Sequence, residues 1–341
     1  MQPPHAFHSP ITTNAGLPYN ERKSVTGLTS AALFCLTEPI SRRAEPTGSQ
    51  AARMSIPPSR PAIELNGVTK KFATPNGGIY TALQDLDLTV APGEFCAVVG
   101  PTGCGKSTTL TLVSGLERPT SGTALVDGRP VAGITAGVGF VFQNDAVFPW
   151  KSVLDNVAAG PRFRGQGKAA ANTLARDWLR RVGLAGFEDR YPHQLSGGMR
   201  KRVALAQSLI NEPEVLLMDE PFSALDVQTR SIMSDELLSL WELTRPAVVF
   251  VTHDLEEAIA LADKVVVLTA GPGRVKATFT VNLPRPRNAQ EIRFTDEFVG
   301  LYSEIWEALR SEVETAYART TARSTAQTPD RPASSPNAQV A

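Results

Sequence analysis

Phe95-Cys96-Ala97-Val98-Val99-Gly100-Pro101-Thr102-Gly103-Cys104-Gly105-Lys106-Ser107 begins as five consecutive apolar residues and ends as a glycine-rich loop. An apolar run without polar alternation predicts a strand covered on both faces, the habit of a parallel sheet. The segment from Gly100 matches G-x-x-x-x-G-K-[ST], with a strand before it and a predicted helix, Ser107 to Ser114 closed by Gly115, after it. Glycines there let backbone N–H groups converge on phosphate oxygens, and the helix N-terminus adds partial positive charge. Lys106 is suited to neutralising the β- and γ-phosphates, and the Ser107 hydroxyl to binding Mg²⁺. The candidate nucleotide-binding set is therefore Gly100, Pro101, Thr102, Gly103, Cys104, Gly105, Lys106, Ser107 and the adjoining Thr108. A thiol among converging N–H groups, Cys104, is read either as a thiol of depressed pKa or as an inert loop position.

Working outward, Ile63 to Val68 and Leu86 to Val90 alternate as strands. Thr123 to Asp127 and Val138 to Phe142 are further strands, and residues 152 to 192 turn helical. Within them, Leu174, Trp178, Leu179 and Val182 form the apolar face of a helix over 168–182. Strands at Val215 to Met218, Ala247 to Val251 and Lys264 to Leu268 then alternate with helices over 227–243 and 255–262. This alternation predicts an α/β fold, a parallel sheet covered by helices. Phe298, Leu301, Tyr302, Ile305 and Leu309 share one face of a last helix, Asp296 to about Arg319. Its expected place is against the core; a partner-binding role is the alternative.

Glu214-Val215-Leu216-Leu217-Met218-Asp219-Glu220-Pro221 carries an acidic pair to the carboxyl end of an apolar strand, where ligands sit in α/β sheets. Asp219 is expected to hold Mg²⁺, directly or through water. Glu220 is expected to act as general base toward the water that attacks the γ-phosphate. Gln143, after Phe140-Val141-Phe142, offers a neutral amide to the metal or the water. His253, after Val248 to Thr252, offers a hydrogen bond to the γ-phosphate from another strand end. The catalytic candidates are thus Glu220, His253 and Gln143, and the metal candidates Ser107, Gln143 and Asp219.

Leu195-Ser196-Gly197-Gly198-Met199-Arg200 resembles the signature of ATP-binding-cassette (ABC) ATPases. With Gly100 to Ser107, Asp219-Glu220, Ser223-Ala224-Leu225-Asp226 and His253, the resemblance spans about residues 61 to 290. It implies a P-loop NTPase (RecA-like) core, an antiparallel β subdomain and a helical subdomain at about 151–196. Ser196, Gly197 and Gly198 open a helix whose N–H groups and dipole make an anion site. In the family that site faces the γ-phosphate held by the other subunit, so the resemblance implies a homodimer with two composite ATP sites. Asp226 is then expected to cross the interface, and Phe72 to stack on adenine. Phe148-Pro149-Trp150, the Gly198-Met199 variant and Leu283-Pro284-Arg285-Pro286-Arg287 look like the nitrate, sulfonate and taurine importer ATPases. This implies permease subunits in a membrane, an extracytoplasmic substrate-binding protein, and a peripheral place on the cytoplasmic face of the inner membrane. Two positions depart from the family: Lys201 stands where glutamine is common, and Gln207 where arginine is usual.

Composition narrows the alternatives. The 341 residues carry 34 Lys+Arg and 34 Asp+Glu, so no global positive field favours nucleic acid as a partner. The three cysteines form no spaced framework. No stretch reaches the ~18 apolar residues of a membrane span; Leu28 to Leu36 is the longest candidate. Residues 1 to about 60 and the tail over 320–341 are expected to be disordered, and Met54 is an alternative start. A non-transport cassette ATPase of translation or DNA repair is the rival reading, although such proteins usually add a second cassette, zinc modules or basic linkers. A phosphotransferase or GTPase predicts no Ser-Gly-Gly helix. The cargo is open.

Overall fold

A computed structural model describes residues 60–75 and 77–326. The N-terminal segment with Met54 and Leu28 to Leu36, and the tail beyond Ala326, lie outside the described residues. Among the described residues, ten strands and eight α-helices follow one another. The larger sheet holds β3 (Phe95–Val99), β6 (Val138–Val141), β7 (Val215–Asp219), β8 (Ala247–Val251), β9 (Lys264–Leu268) and β10 (Val275–Thr280). Its order is β10-β9-β3-β8-β7-β6, parallel throughout except for β10, which runs antiparallel to β9. A second sheet is antiparallel, in the order β2-β1-β4-β5, from β1 (Ile63–Ala73), β2 (Ile79–Val90), β4 (Ser121–Val126) and β5 (Arg129–Pro130).

The unbroken apolar runs follow from burial on both faces. Phe95, Ala97 and Val99 join Leu216, Met218, Val248, Phe250, Val265 and Val267 in one core. The intervening Cys96 and Val98 join Leu217, Val249, Val251 and Val266 in another, which takes in α1 (Lys106–Ser114) and the antiparallel sheet. The first core packs against α2 (Val153–Val157), α4 (Lys168–Arg181), α5 (Gly197–Leu209), α6 (Val227–Thr244), α7 (Leu255–Leu261) and α8 (Asp296–Ala326). A short α3 (Ala159–Phe163) joins α2 to α4.

The last helix packs one face against the core, as expected, while Val299, Trp306, Val313 and Tyr317 stay exposed. Phe298, Ile305 and Leu309 are buried in the first core, and Glu312 accepts from Ala270 N at 2.8 Å. The helix also runs on to Ala326, past the expected end at about Arg319, because residues 320–326 contain neither Gly nor Pro to stop it. Strand β10 is absent from the sequence reading. It is an edge strand with alternating Lys276, Thr278 and Thr280 exposed, so it lacks the apolar run that marks its neighbours.

Candidate functional site

The parallel register brings four strand ends to one level. Val98 pairs with Val251, Asp219 with Val251, and Val141 with Met218. The residues just beyond β3, β8, β7 and β6 are the glycine-rich loop, His253, Glu220 and Gln143. Their proximity is a consequence of sheet order, although they are far apart in the chain.

The loop turns into α1 through Gly105 at φ 102°, a left-handed conformation open chiefly to glycine. A Cβ there would lie 2.5 Å from Leu83 Cδ2 and 2.9 Å from the Ala82 carbonyl oxygen, so both backbone and space require glycine. Lys106 is buried, and its Nζ donates to the carbonyls of Gly100 (2.8 Å) and Pro101 (3.2 Å). Ser107 Oγ donates to Asp219 Oδ1 at 3.0 Å. Burial raises the Asp219 carboxyl above its usual range; the Ser107 hydrogen bond opposes that rise and neighbouring Glu220 adds to it. A hydroxyl and a carboxylate with incompletely balanced charge are hard oxygen donors suited to Mg²⁺, which needs few protein ligands when phosphate and water complete its shell.

Glu220 stands between a histidine and a lysine. Its Oε2 lies 3.0 Å from His253 Nδ1 and its Oε1 4.0 Å from Lys106 Nζ. The residue holds a positive φ of 42°, sparsely populated by non-glycine residues, and its N–H donates to the Val251 carbonyl at 2.9 Å. With Nδ1–H donated to an ionised Glu220, a neutral His253 keeps only an acceptor at Nε2. Donation to a phosphate from Nε2 while Glu220 is held therefore requires the imidazolium.

Ser196 caps α5, accepting from Met199 N at 3.3 Å, so the helix presents its first N–H groups at Gly197 and Gly198. Asp226 caps α6, accepting from Thr229 N (3.0 Å) and Thr229 Oγ1 (2.7 Å). The Thr229 bonds hold its carboxyl below the usual range. Gln143 is exposed, and its carbonyl accepts from Lys201 Nζ at 2.6 Å. Phe72 is partly buried, with Lys70 Nζ 4.9 Å from its ring centre. Its cross-strand partner is Tyr80, whose hydroxyl donates to the Gly103 carbonyl at 3.0 Å.

Cys104 departs from the depressed-pKa reading. It is buried, and loss of hydration raises its thiol above the usual value despite Lys106 nearby. Sequence reasoning missed three contributors: Tyr80, Asn156 and Asp145. Buried Asn156 accepts from Phe148 N (2.6 Å) and donates to the carbonyls of Phe148, Lys151 and Ser152, which fixes the loop through Trp150. An asparagine followed by an apolar helical residue gave no signal of this.

Residues 83–223 match the family model for ABC transporters, from β2 to the segment after Glu220. An uncharacterised ABC transporter ATP-binding protein of Methanocaldococcus jannaschii is 47% identical over 234 residues, covering 69% of this chain and 87% of that protein. The taurine import ATP-binding protein TauB of Burkholderia thailandensis is 44% identical, over 70% of this chain and 93% of that protein. The nitrate import ATP-binding protein NrtD of Synechocystis is 41% identical, over 73% and 95%. Among solved structures, a dimeric post-hydrolysis ATP-binding cassette bound to ADP and Pi superposes with a TM-score of 0.58 at 30% identity, covering 65% of this chain and all of that one. The family-model match over residues 83–223, together with relatives 41–47% identical and matched over 87–95% of their own length, makes this chain a member of the ATP-binding subunits of ABC transporters, a family of transport ATPases.

Proposed function

We propose that the chain is the ATP-hydrolysing subunit of an importer for a small anion, of the class of nitrate, a sulfonate or taurine. The observation that carries this is the meeting of Lys106, Ser107, Asp219, Glu220 and His253 at the ends of adjacent parallel strands, with Ser107–Asp219 and Glu220–His253 contacts of 3.0 Å. The names of TauB and NrtD support the import direction and the anionic cargo. We place the ATPase domain at about 61–290, with its helical part at about 151–196 and α8 docked on it.

ATP is the substrate. Lys106 and the loop N–H groups hold its phosphates, and Phe72, beside Tyr80, stacks on the base. Ser107 and Asp219, with Gln143 completing the set, would hold Mg²⁺, which supplies charge neutralisation on the phosphate oxygens. Glu220 accepts a proton from the attacking water, and His253 holds the Glu220 carboxylate toward it. Positioning and charge compensation account for the catalysis. Two copies pair so that Ser196 to Gly198 of one protomer close the site on its partner, with Asp226 at the joint.

Closure is favoured only by contacts that ATP makes in the closed state, and hydrolysis removes them. Exposed Phe142 and Phe163 line a groove of about 430 Å³ that also takes in Asn211 and Phe148, whose ring lies 5.8 Å from that of exposed Trp150. Permease helices would seat there and follow the closure. Among the described residues no helix is long and apolar enough to cross a membrane, so the permease would hold this subunit at the cytoplasmic face. An extracytoplasmic binding protein would choose the cargo.

The test has two arms. Lys106→Ala should abolish ATP binding, and undiminished binding would overturn the loop assignment. A thermal-shift screen of nitrate, sulfonates and taurine on the binding protein that co-purifies with the assembled transporter should give an anion hit. A neutral sugar or a peptide as the only ligand would overturn the cargo class.

A further inference from the structure

Asp145, two residues past Gln143, is gripped from two sides by the start of α5. Arg200 Nε lies 3.1 Å from its Oδ2, and Lys201 Nζ 2.9 Å from its Oδ1. The Lys201 approach is an ion pair set at an angle that leaves Oδ1 without a directed hydrogen bond. Lys201 directs its hydrogen bond to the Gln143 carbonyl at 2.6 Å. Arg200 Nη1 turns back to the Leu195 carbonyl at 2.8 Å, next to Ser196. Lys201 is only 4% exposed, so its charge is compensated by these partners and not by water. The family resemblance expects a neutral glutamine at this position. Here a buried ammonium ties the backbone of Gln143 to the helix whose first turn is Ser196 to Gly198.

We infer that Lys201, acting with Asp145, is a positioning residue that couples the two nucleotide sites of the paired protomers. The inference rests on the composite-site reading above. In that reading Gln143 serves the nucleotide held by its own chain, and the α5 N-terminus serves the nucleotide held by the partner. A displacement of Gln143 by its own nucleotide is carried by the ion pair into α5, since a close-packed ion pair has little room to stretch. Occupancy of one site thereby presets the anion site offered to the other, and the coupling is reciprocal.

The test uses the full-length chain and titrates ATP against hydrolysis in the wild type, Lys201→Gln, Lys201→Arg and Asp145→Asn, with thermal melts beside each. The wild type should give a Hill coefficient well above one and approaching two. Lys201→Gln should lower it to near one and weaken the second ATP bound at least about fivefold. Affinity for the first fluorescent ATP analogue should stay within about twofold, and Lys201→Arg should restore most of the cooperativity. A folded Lys201→Gln with wild-type cooperativity would overturn the inference. So would a first-site affinity that falls in step with the melting temperature, the mark of a merely structural role. If Lys201→Gln does not fold, Asp145→Asn, which keeps the lysine bond to Gln143, is read by the same criteria. A wild type that hydrolyses ATP as a monomer would instead defeat the composite-site reading, an outcome separate from cooperativity lost only in the variants.

Discussion

Glu220→Gln separates the chemistry of this site from its architecture. The amide keeps the shape of the side chain and a carbonyl oxygen for His253 Nδ1, 3.0 Å away, but has no basic oxygen to receive a proton from water. Loss of a general base costs about 10²–10⁴ in rate. At 1.36 kcal/mol per tenfold, that raises the barrier by about 3–5 kcal/mol. ATP binding should persist, because Lys106 and the loop are untouched, and the ATP-bound dimer should accumulate on size-exclusion chromatography. Phosphate release under saturating ATP measures the rate, and turnover above a tenth of wild type would remove Glu220 as the base. A second substitution tests the backbone. Glu220 sits at φ 42°, a conformation that costs a non-glycine residue on the order of 1–3 kcal/mol. Glu220→Gly should lose activity equally yet gain roughly 1 kcal/mol of stability, a rise of about 2–4 °C in melting temperature for a domain of this size. A glycine variant that melts below the wild type would refute the strain argument while leaving the catalytic one intact.

Other outcomes follow from the same geometry. Gly105→Ala forces a Cβ to within 2.5 Å of Leu83 and strains a left-handed turn, so ATP affinity and melting temperature should both fall; an unchanged titration calorimetry isotherm would refute the turn's necessity. Glu257 hydrogen-bonds Thr252 and is pushed up by burial from 4.5 to about 7. Between those values the folded state keeps a proton that the unfolded chain has released. The contribution of this one group to stability is therefore fullest below pH 4.5, is lost as pH rises through 7, and is level above. Glu257→Gln should remove about 3 kcal/mol of that loss, seen as urea midpoints for variant and wild type that diverge between pH 5 and 8. Cys96, raised to about 12 by burial, and Cys104, raised by the same cause, should resist iodoacetamide at pH 8 until the chain is unfolded; native alkylation of Cys104 that ATP blocks would restore the reactive-thiol reading.

The sequence was most legible where burial is two-sided. Strands β8 and β9 fall where their apolar runs place them, and β3 leads into the glycine loop as its pattern requires. The glycine loop, Asp219-Glu220 and His253 were equally easy to find, since each lies at or just past the end of such a run. Legibility failed where a residue's role depends on a partner distant in sequence. Tyr80 looks like an ordinary aromatic in a strand until β2 lays it against Gly103. Lys201 registered only as a departure from a family pattern, and Asp145 not at all, because neither pattern nor propensity encodes a pairing between a loop and a helix that begins some fifty residues on. The edge strand β10 and the continuation of α8 past Arg319 were missed because polar or neutral residues there neither announce nor forbid their structure.

The Pro-Arg-Pro-Arg segment, one of the stretches that carry the resemblance to the importer ATPases, turns out to be a rivet. Arg285 pairs with Asp263 and lies 4.4 Å over the Trp241 ring. Arg287 is buried and spends its donors on the carbonyls of Ala262, Leu283 and Val281. Both guanidinium groups are engaged inside the fold, although Arg285 Nη1 is buried without a hydrogen-bond partner. A stretch spent in this way inside the fold can record ancestry without touching cargo, so a cargo label carried over through it is genealogy.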